Sequence, residues 1–494
     1  MQLIALLALS TVQWSRHALT LDFAAYAQAL WLIGHGHLDP YSSVLGYPFL
    51  RNNGELIMWP LALLARLGAG AIALLWVQDL ALVATGYVTL RWIRDVLDGS
   101  PRLGSAARSR LWWIAVAAVL LDPSCYQTAL FDFHSHALGA LFAVLAGRDL
   151  WRLRRRRALV WGVLLGMTGT VGVLALVGIG LSGLLHSRRT RPAAAAMVGA
   201  GVIWLLVLVE LRAAGGGGHM TATTYRYLDP SARGQPPVTG LVAGLFIHWP
   251  AVAHRIAAHA GSALALLIPA GLVGVASRLA IGPVAAVFLP AMLTSWQPSL
   301  ALPHAYQVWP AIAFVLVASV QHFARWSSAA ADDVRAPAPT WNRVQPVTAR
   351  RSLLGAWALV LSLSTVTVFP GLPSYWMRVS PAARSALDEL DRRIPPGAEV
   401  IASQGIAGRF ADRRWVFAVM QPVIRLPVRA RTVVFVLAPD QGILGVAPPA
   451  TDALIKASES LPRTRVLDSG GGVTAILWHP PLGAGQVILP IKGN

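Results

Sequence analysis

Long apolar runs separated by short arginine-rich or glycine-rich connections occupy the first 370 residues of the chain. Stretches such as Ala71–Leu90, Ala194–Val209 and Leu353–Val368 approach or reach the roughly 17–25 apolar residues that cross a hydrocarbon core. The pattern predicts about eleven transmembrane helices, near residues 1–14, 71–91, 111–122, 135–150, 158–186 (two spans), 194–211, 260–277, 281–296, 307–323 and 353–369. The run 158–186 is too long for one span and is broken by Gly166–Gly172. Residues 122–133 are expected to form a short turn between two spans. The segment 326–350, rich in Ala, Pro and Arg, has no apolar period and reads as a flexible linker.

Beyond Pro370 the pattern changes to that of a soluble domain, residues 371–494, so the chain divides into a membrane domain 1–370 and a small α/β domain. Ser380-Pro381 supplies an N-cap and a first-turn proline for a helix over Ala382–Arg393. Strands are expected at Glu399–Ala402, Trp415–Val419, Thr432–Leu437 and Val473–Trp478, with a helix at Thr451–Ser460 before the last of them.

Composition supports the membrane reading: 55% of the 494 residues are hydrophobic and 13% are charged, more apolar side chain than soluble cores of this size bury. The net charge of +19 would suggest nucleic acid in a soluble protein. Here the arginines cluster at 91–110, 148–157, 188–191 and 325–351, between apolar spans. That distribution is the positive-inside pattern, so these connections are placed in the cytoplasm and the carboxyl-terminal domain outside. The single cysteine, Cys125, excludes an intrachain disulfide and a multi-cysteine metal site. Met1–Val12 is apolar but lacks a basic leader and a cleavage site, and is expected to be a first span clipped by a misassigned start codon.

This topology puts the candidate chemistry at the outer surface. Asp22 opens the segment Asp22–Ile33, whose Phe23, Tyr26, Leu30 and Ile33 recur at helical spacing, so the helix is expected to lie along the membrane surface. Asp22 reads either as its N-cap or as a general base. Phe131-Asp132-Phe133-His134-Ser135-His136 places an acid and two imidazoles in one turn. They can meet a phosphate, orient an acceptor, hold a divalent metal or simply be solvated; the spacing alone is too weak to assign a metal, and no metal ligand is assigned. His304 and Tyr306 stand before the tenth span, either at a site or as an interfacial anchor. Gly215–Gly218 with His219, and Gly405 with Gly408, lack the remainder of a phosphate-binding or dinucleotide motif.

In this order the chain resembles the DUF2079 family of predicted multispanning membrane proteins. The resemblance rests on Arg16-His17, Asp22-Phe23, Gln28-Ala29-Leu30-Trp31, Phe133-His134, His304 with Tyr306, and the run from Ala386 to Asp412. That family is similar in turn to the C-type glycosyltransferase (GT-C) superfamily. The resemblance implies transfer of a sugar from a polyprenyl-phosphate carrier to an extracytoplasmic acceptor, with membrane lipid as surroundings and no nucleic acid. It implies Asp22 as the base, Asp132 or His134 assisting, and Arg51, Glu55, His304 and Tyr306 near substrate or the lipid phosphate. Two positions depart from the family pattern: Met167-Thr168-Gly169-Thr170-Val171 replaces a Lys-Glu-Asp-like cluster, and Asn52-Asn53-Gly54-Glu55 replaces an Asp-His pair, leaving Glu55 as its substitute. A transporter or flippase of envelope precursors, and an inactive envelope assembly protein, are the alternatives.

Overall fold

The computed structural model describes residues 1–213, 224–231, 238–295, 300, 306–333, 354–363, 379–419, 425–438 and 448–488, apart from single positions at 102, 360, 362, 469, 482 and 484. His304, His219, the glycine run before it and most of the expected eleventh span lie outside the described residues. The chain begins with α1 (Gln2–Ser15), α2 (Leu21–Gly34), a hairpin of β1 (Tyr41–Ser42) and β2 (Tyr47–Pro48), and the short helices α3 (Leu50–Asn53) and α4 (Met58–Arg66). The bundle continues through α5 (Ile72–Asp98), α6 (Ser105–Leu120), α7 (Pro123–Leu130), α8 (His136–Trp151), α9 (Arg155–Gly166), α10 (Thr170–His186) and α11 (Arg191–Ala213).

Three described helical stretches are long and apolar enough to cross a membrane alone: Ile72–Asp98, Ser105–Leu130 and Arg191–Arg212. The pair Thr239–Ile247 and Trp249–Leu267 is apolar enough as a unit but bends by 87°. Gln2–Ser15, Thr170–His186 and Ile281–Leu293 are shorter apolar helices. Gly166–Gly172 does break the long run, separating α9 from α10. Where a turn was expected after residue 122, Asp122 accepts a hydrogen bond from Ser124 N at 2.9 Å and Pro123 starts α7. The cap and the first-turn proline were both legible as a helix start. Helix Trp309–Asp333 runs into the first residues of the expected linker, through the strong helix formers Ala329–Ala331, and residues 334–350 lie outside the described residues.

The helices alternate between two ends. α5 starts beside the turn 131–135 and finishes where Asp95 pairs with Arg148 and Arg152. α8 runs from that turn to the arginines, and α9 returns to Met167, whose carbonyl accepts Ile57 N–H at 2.9 Å. α10 and α11 repeat the excursion, and Arg212 at the end of α11 donates to Asn52 O at 2.7 Å. The arginine clusters of the α8–α9 and α10–α11 connections therefore share one end of the bundle, and Asp132 and Glu55 stand at the other.

In the carboxyl-terminal part, Ser380 caps helix Pro381–Arg393 by accepting from Ala383 N at 3.1 Å. β3 (Glu399–Ser403), β4 (Val416–Val419), β6 (Val433–Leu437), β7 (Thr464–Asp468) and β8 (Thr474–Trp478) form one sheet in the order β4-β3-β6-β8-β7. β3 is parallel to β4 and β6, whereas β8 is antiparallel to β6 and β7. β5 (Arg425–Pro427) and β9 (Gln486–Ile488) pair separately. Alternation sets the two faces: Ile401, Val433, Phe435 and Trp478 pack with Leu454 of helix Pro448–Glu459, while Val400, Ala402, Val434 and Val436 join a core that includes α2. That shared core corrects one part of the expectation for α2: no face of the helix is left to water along Phe23–Leu30. Phe23 through Leu30 are buried, because the sheet domain covers the side that the local pattern leaves for water.

Candidate active site

Four of the seven site residues expected from the sequence meet at the start of α2. Thr20, not Asp22, caps α2: its hydroxyl oxygen accepts Asp22 N–H at 3.3 Å. Thr20 is held in turn by Asp132, which accepts its N–H at 3.2 Å and its hydroxyl at 2.5 Å. Asp132 adopts a positive φ of 95°, a backbone conformation unusual for a residue with a side chain. Asp22, freed of the capping role, sits in the first turn with its side chain 39% exposed and one carboxylate oxygen 3.7 Å from His134 Nε2. The His134 ring stacks on Tyr306 at 3.7 Å between centroids and on Phe131 at 5.3 Å.

The turn is fastened from a residue that sequence reasoning missed. Gln78, fully buried in α5, donates to Thr128 O at 3.0 Å and Asp132 O at 2.8 Å, and accepts His134 N–H at 2.7 Å. Gln13 adds a hydrogen bond from α1 to Leu130 O at 2.9 Å. A glutamine inside an apolar run is the signal that was available.

Glu55 forms the second half of the site. It is fully buried and accepts from Tyr26 Oη at 2.5 Å and Ser135 Oγ at 3.0 Å. Ser135 Oγ also lies 2.9 Å from Thr168 O, so its one hydroxyl proton is shared between that carbonyl and Glu55. The two positions that depart from the family pattern are therefore in contact: a Cβ added at Gly169, where φ is 98°, would stand 2.7 Å from Glu55 Cγ and 2.9 Å from Asn53 O. The cation nearest in role is Arg212, which binds Asn52 O, Asn53 Oδ1 and Thr170 Oγ1. Arg51 is half-buried on α3 and forms no ion pair among the described residues. No group of three His, Cys, Asp or Glu side chains among the described residues converges to hold a metal ion. Within the D-x-H-x-H stretch, Asp132 turns to Thr20 while His134 faces Asp22.

Burial pushes the Glu55 carboxyl up to about 7, against the hydrogen bonds of Tyr26 and Ser135. Burial pushes Asp132 up to about 8; the Thr20 bonds oppose this, and the charge of Asp22 adds to it. Both groups bind a proton more tightly in the folded chain than in the unfolded one. Linkage then lowers stability as pH rises from about 4 through these two values. The Tm of the detergent-solubilised protein should fall between pH 5.5 and 8.5, and Glu55→Gln with Asp132→Asn should flatten the decline. An unchanged slope in that double variant would show that other groups cause it.

A bundle of apolar helices with its arginine-rich connections at one end and Asp22, Glu55 and Asp132 at the other has the make-up of an integral membrane protein with a candidate acidic site. The family described as "Predicted membrane protein (DUF2079)" matches residues 14–425, and the chain belongs to it. No curated protein matches the chain. Among solved structures it is similar to ArnT from Cupriavidus metallidurans bound to undecaprenyl phosphate, at 13% identity and a TM-score of 0.48, over 96% of this chain and 97% of that one. The apo state of the same protein gives 11% identity and a TM-score of 0.46 over the same shares.

Proposed function

We propose that this protein is a membrane glycosyltransferase that moves a sugar from a polyprenyl-phosphate carrier to an extracytoplasmic acceptor. The observation that carries the reading is Asp22: a half-exposed carboxylate beside His134, on a helix start that Asp132 holds through Thr20. In this reading Asp22 removes the proton from the acceptor hydroxyl as its oxygen attacks the anomeric carbon. The bond from that carbon to the phosphate oxygen breaks, and the lipid phosphate leaves. His134 and Tyr306 line the approach, Arg212 supplies positive charge near Glu55, and Arg51 stands near the lipid phosphate. His304 belongs to the same proposal by sequence position. The acidic end faces outward together with residues 371–494. The order of the motifs shared with the family, and the gathering of the arginine-rich connections at the opposite end, support that orientation.

Cells lacking the protein should accumulate a polyprenyl-phosphate-linked sugar, and restoring the chain should clear it. No change in lipid-linked sugars would defeat the proposal. Orientation has its own test: Thr340→Cys on a Cys125→Ser background should resist an impermeant thiol reagent in intact cells, and labelling from outside would reverse the scheme.

A transport reading has one observation in its favour, because Asp79 lies fully buried in α5, inside a candidate span. Asp79→Asn should leave sugar transfer intact under the enzyme reading and abolish function under the transport reading.

A further inference from the structure

At the end of the bundle opposite Asp22, a cleft of about 500 Å³ opens between the α8–α9 and α10–α11 connections, lined by Leu153, Arg154–Arg157 and Arg189. The 16 residues of α8 separate it from the acidic site by roughly 24 Å at 1.5 Å per residue. The nearby carboxylates are already engaged. Asp95 pairs with Arg148 and Arg152, and buried Asp149 lies 3.7 Å from Arg154 and 3.3 Å from Arg157 while accepting Trp161 Nε1–H at 3.1 Å. Arg155, Arg156 and Arg189 have no carboxylate partner among the described residues, and Arg155 instead donates to Arg189 O at 2.7 Å, holding the two connections together.

The placement of these charges is unfavourable without a counterion. Arg155, Arg156 and Arg157 form the first turn of α9, where the partial positive charge of the helix repels cations, and no acid stands in that turn. Both helices also carry exposed apolar side chains beyond the cleft: Val160 and Val163 on α9, and Leu181 and Leu185 on α10. A ligand matching both features carries a phosphate and apolar chains.

We propose that this cleft binds the headgroup of an anionic phospholipid in the leaflet at the arginine end of the bundle, with its acyl chains along α9 and α10. The phosphate meets Arg155, Arg156 and Arg189. A lipid bound there also ties the α8–α9 connection to the α10–α11 connection, bracing the helices that meet Glu55 at their other ends. Lipid binding there does not require that the protein transfer a sugar.

The test uses the full chain in a neutral detergent, with dioleoylphosphatidylglycerol or dioleoylphosphatidylcholine added, and reads bound lipid by native mass spectrometry together with the Tm. Phosphatidylglycerol should be retained and should raise the Tm, and phosphatidylcholine should do neither. One arginine near an anionic headgroup is worth about fivefold in affinity, so Arg155→Gln, Arg156→Gln and Arg189→Gln combined should weaken retention about 100-fold. If the triple variant does not fold, Arg156→Gln alone should show the fivefold loss. Equal retention of the two lipids, undiminished retention in the variants that fold, or full reproduction of the Tm rise by millimolar inorganic phosphate would each overturn the proposal. The last outcome would identify a site for free phosphate.

Discussion

Asp22→Asn should lower sugar transfer by about 10²–10⁴-fold, the usual loss when a positioned general base is removed, while protein level and membrane insertion stay close to those of the parent. The structure sharpens this contrast. The cap of α2 is Thr20, so Asn at position 22 neither gains nor loses a capping bond, and the side chain it replaces is 39% exposed with His134 3.7 Å away. The amide keeps the size of the carboxylate and removes its basicity. A thermal unfolding curve matching the parent, combined with lost transfer from a polyprenyl-phosphate sugar, is the expected pair of results. Full transfer by Asp22→Asn would eliminate it as the base. Thr20→Val supplies the structural comparison: it removes both the cap and the hydroxyl bond to Asp132, costing about 1–3 kcal/mol, so its loss of activity should come with a lower Tm.

Local signals explain which features of the fold were legible in the sequence. Ser380-Pro381 specifies a helix start through one cap and one ring, both within a few residues, and the helix begins there. The continuous apolar runs Val400–Ala402 and Val433–Leu437 mark central strands whose two faces are both buried. Gly166–Gly172 breaks the bundle where the glycines stand. What was not legible depends on partners far along the chain. The cover over α2 comes from residues near 400, as when Gly408 N–H donates to Leu19 O at 2.9 Å and leaves no room for a Cβ against Leu19. His17 meets Asp388 across 371 positions at 2.8 Å, and Ser43 binds Val416 O at 2.7 Å across 373. No period or spacing carries such pairings.

The candidate site divides along the same line. Asp22, Asp132, His134 and Tyr306 stood out as polar groups beside apolar spans, and the structure brings them together. Their assignment to one locus was possible only as an expectation of resemblance, because 112 positions separate Asp132 from Thr20. Glu55 was recognisable as a substitute for a missing pair, but its contact with the Gly169 break was not. Both departures from the family pattern occupy one spot, with Arg212 bound to the adjoining backbone.

Gln78→Met should be the most damaging substitution outside the proposed chemistry. Methionine keeps the volume and the apolar stem, so the core of α5 suffers little from the exchange. It removes three hydrogen bonds, to Thr128 O, Asp132 O and His134 N–H, and leaves those backbone groups buried without their side-chain partner. Each such loss costs about 1–3 kcal/mol, so the native state should lose on the order of 3 kcal/mol or more. The effect is focused, because the three bonds hold the turn that carries Asp132 at its positive φ and aims His134 toward Asp22. Relaxation of that turn releases Thr20 and, through it, the first turn of α2. A displacement of about 1 Å at a catalytic group can cost about 10²-fold in rate. Transfer should therefore fall by about that factor even when measured well below the lowered Tm, where the variant is folded. Gln13→Met, which removes a bond to Leu130 just before the turn, should lower the Tm with a smaller effect on transfer. Parent-like activity in folded Gln78→Met would show that the turn keeps its geometry without this clamp and that His134 is not positioned through α5.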